Sequence, residues 1–108
     1  MSDKILSPKD PREIIPVTFN AAAIPVYSID TAKVEVTVHF GTDANHKTIL
    51  LGEPKIFKSE VTQMITGGLA GVEYNITASI FVGDAKYIMT ATLPVVTQTD
   101  YLPFANFL

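Results

Sequence analysis

The side chains with the greatest chemical potential in this chain are two histidines and two polar residues close to one of them. His39 falls at an outward position of an alternating stretch, whereas His46 follows Asp43 and Asn45 in a polar loop. Asp43-x-Asn45 has the spacing that begins a calcium-binding loop, but the remaining ligands and the closing glutamate are missing. A metal site or an acid–base pair needs further converging groups. We therefore expect both histidines to be solvated surface residues, with no metal and no cofactor.

Sequence motifs for covalent or phosphate chemistry are missing from the chain. It has no G-x-S-x-G, P-loop, G-x-G-x-x-G or H-E-x-x-H pattern. The glycine cluster at 67–71 precedes a strand-like run, so it lacks the helix N-terminus at which phosphate binds. Asn75-Ile76-Thr77 is a formal glycosylation sequon, but without a secretion signal it indicates only polar residues on an outer face. A small hydrolase is disfavoured because no nucleophile–base pair is visible. We therefore predict that the protein is not an enzyme.

Composition indicates one globular domain with a sparsely charged surface. The chain has 108 residues, of which 47% are hydrophobic and 18% charged, below the usual quarter for charged residues. The net charge is −3 and the basic residues are scattered, which predicts no nucleic-acid binding. There are no cysteines, so disulfides and thiolate metal sites are excluded. The first residues are too poor in apolar side chains for a signal peptide, and no stretch approaches a membrane span of ~20 apolar residues. We expect synthesis in the cytoplasm.

Two long alternating runs between residues 72 and 96 predict an antiparallel hairpin. Gly83-Asp84 separates them and suits a two-residue type II′ turn, which would place Ile80 opposite Tyr87. A three-residue loop would turn one apolar face outward. Pro94 cannot donate to a ladder, so the last strand is either an edge or directs that amide position to solvent. The inward faces are Tyr74, Ile76, Ala78, Ile80 and Val82, then Tyr87, Met89, Ala91, Leu93 and Val95.

Shorter alternating or apolar segments predict the remaining strands. In the clearest of them, Val34, Val36, Val38 and Phe40 share one inward face, and Tyr87 and Phe40 are expected in the core. No segment repeats apolar residues with the helical period over three turns. About seven strands separated by turn signals predict an all-β sandwich of two packed sheets. The segments are 14–20, 26–29, 33–40, 49–51, 56–57 and 60–66, the last as an outer strand.

The predicted sandwich domain occupies residues 14–96, between an N-terminal arm at 1–13 and an apolar C-terminal tail at 97–108. Prolines interrupt the arm, and its charged residues are expected to keep it solvated. The tail either folds back on its own sandwich or docks on a neighbour, and both alternatives stay open. Phe81 and Ile88 lie outward on the hairpin and form a second candidate contact surface, unless the chain's own arm or a loop covers them. The large apolar tail residues are Tyr101, Leu102, Phe104, Phe107 and Leu108.

Residues 69–78 resemble the start of the penultimate strand in fibronectin type III domains. In that family a leucine and a glycine precede a tyrosine whose hydroxyl returns to the preceding turn, the tyrosine corner. Gly71 and Tyr74 match those positions, while Ala70 replaces the usual proline and the chain has no tryptophan. The resemblance implies an Ig-like, fibronectin III-like antiparallel sandwich in which Tyr74 has a structural role.

A second resemblance covers most of residues 16–95. Segments 16–19, 41–43, 67–74 and 91–95 are similar to small proteins encoded among tailed-phage virion genes. The resemblance implies a non-enzymatic structural component of a phage particle: a capsid decoration, a head–tail connector or neck protein, or a tail accessory. Its partners would be capsid, connector or tail proteins and copies of itself, with no nucleic acid or membrane, and its location the virion. The alternative is an Ig-like adhesion or carbohydrate-binding module that binds through loop tips 41–47 and 83–86, which carry no Trp, Tyr or Phe.

Overall fold

Seven strands and one short 3-10 helix make up the fold. The computed structural model describes residues 4–22 and 29–97. The predicted strand at 26–29 lies outside the described residues except for Ile29. The all-β prediction with about seven strands is confirmed. The elements are β1 Lys4–Ile5, β2 Ile15–Asn20, β3 Thr31–Phe40, the 3-10 helix His46–Ile49, β4 Leu50–Phe57, β5 Glu60–Ile65, β6 Glu73–Val82 and β7 Ala85–Pro94.

The strands form two sheets with the topology of an Ig-like sandwich. One sheet has the order β1-β7-β6-β3 and the other β2-β5-β4. In Ig nomenclature β2, β5 and β4 correspond to strands B, E and D, whereas β3, β6 and β7 correspond to C, F and G. All neighbours are antiparallel except β1, which runs parallel to β7. The predicted sandwich is confirmed, with the short parallel β1 as an addition from the arm.

The core lies between the facing sides of the two sheets. Alternation along each strand turns every second side chain inward, and the inward side chains are mostly apolar on both sheets, with Gln63 as a buried polar exception. Ile76 and Leu93 on one sheet and Val61 and Ile65 on the other are fully shielded from solvent. Burial of this apolar surface is the main stabilising contribution to such a domain.

The β6–β7 hairpin has the predicted register. Ile80 lies opposite Tyr87, and the pairing continues without a shift to the far end of the strands. Gly83 has φ +57, and Lys58 is the one described non-glycine residue with positive φ, so the turn has a positive φ only at its first position, as type II′ requires. The Asp30 carboxylate accepts a hydrogen bond from the Gly83 amide at 2.6 Å, a contact that the sequence did not predict.

Pro94 costs the hairpin no hydrogen bond. In a hairpin with a two-residue turn, alternate residues of β7 direct their main-chain groups away from β6. The carbonyls of Thr92 and Pro94 accept bonds from the amides of Leu6 (2.8 Å) and Lys9 (2.9 Å), so Pro94 belongs to this outward set. The edge-strand and solvent alternatives for Pro94 are therefore both wrong at this position, because the arm lies beside β7.

Two predictions about individual strands are wrong. Phe40 was expected in the core but is 65% exposed, because the register of β3 shifts between Val38 and Phe40. A bulge there reverses the side-chain alternation. The stretch 60–66 was expected as an outer strand, but β5 is the centre of its sheet, between β2 and β4. Its inward residues Val61, Gln63 and Ile65 are buried.

Gln63 explains why two predicted short strands are joined in one irregular β4. The register between β4 and β5 shifts between Leu51 and Lys55, which leaves carbonyls of the bulged segment without ladder partners. The buried Gln63 amide donates to the carbonyls of Gly52 (3.0 Å) and Leu51 (3.3 Å). A side-chain amide can replace missing main-chain donors in this way, so the bulge is retained inside the sheet.

Candidate functional site

The tyrosine corner joins two loops at one end of the sandwich. Tyr74 is fully buried. Its hydroxyl accepts a hydrogen bond from the Leu69 amide at 2.9 Å and donates one to the Asp43 carboxylate at 2.7 Å. Gly71 lies between Leu69 and Tyr74 in the sequence and has φ +89. Its amide donates a hydrogen bond to the Val95 carbonyl at 2.7 Å. Tyr74 therefore fixes the loop before β6 against the loop after β3.

The polar groups singled out for metal or acid–base chemistry are engaged within the fold. The Asp43 carboxylate also accepts from the Asn45 amide at 2.9 Å, and Nδ1 of His46 lies 3.2 Å from the Asp43 carbonyl. His39 lies elsewhere, 3.3 Å from the Asn75 amide. Within residues 4–22 and 29–97, no three acidic, histidine or cysteine side chains come together as a metal site. The structure therefore does not bring the two histidines together.

Ionisation of Tyr74 should limit stability at high pH. Burial, together with the hydrogen bond to Asp43, raises the pKa of Tyr74 to about 12 from its ordinary 10.0. Because the unfolded chain loses this proton first, the contribution of Tyr74 is complete below pH 10 and is lost as the pH rises through 12. We expect the difference in free energy of unfolding between wild type and Tyr74→Phe to shrink over that range in urea titrations. A constant difference would contradict the assignment.

Lys9 anchors the arm to the domain. The sequence predicted a solvated arm, and this is wrong for Lys9 and Asp10, which are 0% and 4% exposed. The Lys9 ammonium donates to the carbonyls of Gly67 (2.7 Å) and Asp10 (2.9 Å). Burial lowers its pKa, and the nearby carboxylates of Glu13 and Asp10 oppose that effect. The Val96 amide donates to the Lys9 carbonyl at 2.9 Å, so the arm is bound on both sides of this residue.

The predicted outer face of the hairpin is present on the four-stranded sheet. Ile88 is 42% exposed and Phe81 is half-buried. Ile88 lies opposite Ser79 and Phe81 lies opposite Lys86, so the two apolar residues are diagonal neighbours. The Lys86 ammonium lies 5.8 Å from the centre of the Phe81 ring, a cation–π distance. Within the described residues, Ile88 therefore keeps a partly exposed apolar side chain on this face.

A second apolar surface lies on the outer face of the three-stranded sheet, and sequence reasoning missed it. Pro16 of β2, Met64 of β5 and Leu51 of β4 stand opposite one another in a single row across the sheet. Leu51 is 45% exposed. No short segment shows this row, since β2 lies far in the sequence from β4 and β5. The predicted tail residues Tyr101, Leu102, Phe104, Phe107 and Leu108 lie outside the described residues.

Among the described residues, the sandwich is open along one side, between β7 and β2. A groove of about 300 Å³ lies there, near the lower limit for small-molecule sites. Main-chain edges of two strands border it, and the described part of the chain places no charged residue in it except Lys4. Its lining is Lys4, Leu6, Val17, Thr18, Phe19, Asn20, Met89, Thr90 and Ala91.

The structure therefore presents apolar surfaces and an open strand edge, with its corner tyrosine and polar loop occupied by internal contacts. In the part of the chain that is described, no helix has the length and apolar character to cross a membrane. Loop tips 41–47 and 83–86 contain no Trp, Tyr or Phe for a sugar platform. Comparison with family models, with curated proteins and with solved structures finds no match to this chain.

Proposed function

We propose that the protein is a non-enzymatic structural component of a phage particle. It binds other virion proteins and copies of itself through its terminal segments and its sheet surfaces. The observation that carries the binding role is the exposure of apolar side chains on both sheets, including Ile88 and Leu51. Ile88 also lies on β7, which has an open edge among the described residues. The phage particle as the setting is supported by the sequence resemblance of segments 16–19, 41–43, 67–74 and 91–95.

The sandwich acts as a rigid spacer in this proposal. Its buried hydrogen bonds support rigidity: Tyr74 joins two loops, Gln63 satisfies the bulge of β4, and Lys9 fixes the arm. Every described buried side-chain nitrogen or oxygen has a hydrogen-bond partner. A domain without unsatisfied buried groups holds one conformation and presents its surfaces in fixed positions.

Association is driven by apolar burial with little electrostatic contribution. Exposed apolar area releases roughly 25 cal/mol per Å² when it is covered, and the low charge of the chain leaves few ions to desolvate. The tail adds five large apolar residues within the last eight positions given. Capsid shells and connectors present many equivalent sites, so the protein is expected in multiple copies as a decoration, neck or tail accessory protein.

Deletion of residues 97–108 should abolish incorporation into particles while the domain still folds. The last described bond of the arm, from the Val96 amide to the Lys9 carbonyl, is retained in the truncated chain. Copy number per purified particle measures incorporation, and thermal unfolding checks the fold. A matched variant keeps the tail length but replaces Tyr101, Leu102, Phe104, Phe107 and Leu108 by serine. Truncated protein at the normal copy number would refute the proposal.

A further inference from the structure

We propose that the apolar tail of one copy adds a strand to the free edge of β7 in a second copy and fills the groove between β7 and β2. The tail is defined as residues 101–108, and residues 97–100 are its polar spacer. The inference rests on the proposed function, since it names the partner of a tail whose target that function leaves open. It commits to a second copy of this chain.

The first step is the free edge of β7. The residues of β7 that direct their main-chain groups away from β6 alternate along the strand. They include Lys86 and Ile88 as well as Thr92 and Pro94. The described arm pairs with β7 at Ala91 and Thr92 and bridges to it again at Val95. Beside Lys86 and Ile88, the described residues provide no strand. Unpaired edges of this kind accept an extended peptide by main-chain hydrogen bonding.

The second step is the groove beside that edge. An added strand turns alternate side chains toward the facing sheet, and at this edge they would enter the groove of about 300 Å³. Phe19 forms part of the wall on β2 and Met89 part of the wall on β7. Met89 and Leu6 are half-buried and pack against the core, so apolar side chains placed there would extend the core.

The third step is the choice between the chain's own tail and that of a neighbour. The arm occupies the β7 edge from Ala91 to Val95. A tail that returned along its own β7 would have to run from Thr97 back to Thr90, roughly 23 Å at 3.3 Å per residue, and would pass this stretch on the way. That path would use residues 98–103 as a bridge and leave Tyr101 and Leu102 above the arm. A neighbour's tail does not have to pass the arm of its own copy. It can pair along β7 from Ala85 to Thr90, with Pro103 at a position that directs its main chain away from β7, because proline has no amide hydrogen to donate.

The resulting contact is head-to-tail. Each copy carries one donor tail and one acceptor edge, so the contact joins different segments of two copies and generates an open chain or a closed ring. The acceptor edge is also near Ile88 on the outer face of the hairpin, so the exposed side chain and the free main chain belong to one surface.

The test uses a proline at the acceptor edge. Ile88→Pro removes the outward amide of Ile88 without removing a bond to β6, since the native chain already has Pro94 in the same outward set. The matched control Ile88→Ala keeps the amide. In sedimentation of the full-length protein, we expect Ile88→Pro to raise the dissociation constant of self-association at least about tenfold, and Ile88→Ala less than about threefold, because main-chain bonds supply most of the affinity in strand addition.

Mixing separates the two halves of the contact. The protein without residues 97–108 keeps the acceptor, and Ile88→Pro keeps the tail, so each alone should be monomeric and the mixture should form a one-to-one complex. Lys86 also directs its main-chain groups away from β6, so Lys86→Pro replaces Ile88→Pro if thermal unfolding shows that Ile88→Pro is misfolded. Unchanged self-association of both folded proline variants, a monomeric wild type, or no complex on mixing would overturn the inference. Normal particle incorporation of the proline variants, with loss on tail deletion, would leave the proposed function intact.

Discussion

Replacement of Tyr74 by phenylalanine is expected to lower the free energy of unfolding by about 2 kcal/mol. The change removes the acceptor of the Leu69 amide and the donor to Asp43 while the ring stays in the core. Loss of hydrogen bonds at a buried position costs about 1–3 kcal/mol, with charged partners at the upper end. The midpoint of thermal unfolding should fall by about 8 °C in a domain of this size.

Urea unfolding of matched variants checks this expectation. Tyr87→Phe is the control, because Tyr87 is half-buried and its hydroxyl has no hydrogen bond to the described residues; it should change stability by less than about 0.5 kcal/mol. A double-mutant cycle with Asp43→Asn isolates the contact between Tyr74 and Asp43. Equal effects of Tyr74→Phe and Tyr87→Phe would show that the corner contributes no specific stability.

Local pattern was sufficient for those features that neighbouring residues determine. The hairpin register follows from two facts, the apolar alternation of both runs and the glycine at the first turn position, and both lie within about twenty residues of sequence. The same alternation predicted the inward faces of β3 and β7. The sandwich then followed because seven amphipathic strands can bury their apolar faces only against a second sheet.

Features that depend on distant residues could not be predicted in the same way. Lys9 had the composition of a solvated residue, but its partner is a carbonyl at position 67, and no local pattern indicates that contact. Phe40 continued the alternation of β3, but the bulge after Val38 turned it outward. The central position of β5 depends on which strands flank it. The polarity of its side chains was a poor guide to that position, because the polar Gln63 is buried and donates hydrogen bonds to the β4 bulge.

In the candidate binding surface, too, the parts formed by neighbouring residues were predicted and the parts formed by distant residues were missed. Phe81 and Ile88 were predicted from a single hairpin, and the structure places them together on its outer face. The groove between β7 and β2 was missed because its strands come from opposite ends of the chain. The row of Pro16, Met64 and Leu51 was missed because it joins β2 to the distant strands β4 and β5. The sequence signals the tail residues by composition but contains no pattern that identifies what they bind.

Gly68→Ala is expected to destabilise the domain by about 3 kcal/mol. Gly67→Ala, at the adjacent position, is expected to cost about 1 kcal/mol, because only the strain of alanine in a left-handed backbone conformation contributes there. Gly68 has φ +94, and a Cβ there would lie 3.0 Å from the Val95 side chain and 3.4 Å from the Tyr74 ring. Gly67 has φ +63, and a Cβ there would meet nothing within 4 Å. The two substitutions therefore share backbone strain and differ in the close contact with buried groups.

The comparison of Gly68→Ala with Gly67→Ala decides whether the turn before β6 is held by conformation or by packing. If packing against Val95 and Tyr74 matters, Gly68→Ala loses more stability in urea unfolding and also weakens the corner, so its effect is less than additive with that of Tyr74→Phe. Gly67→Ala should instead add to Tyr74→Phe. Equal losses for the two alanine variants would mean that Val95 moves aside without cost, and that left-handed backbone alone accounts for glycine at both positions.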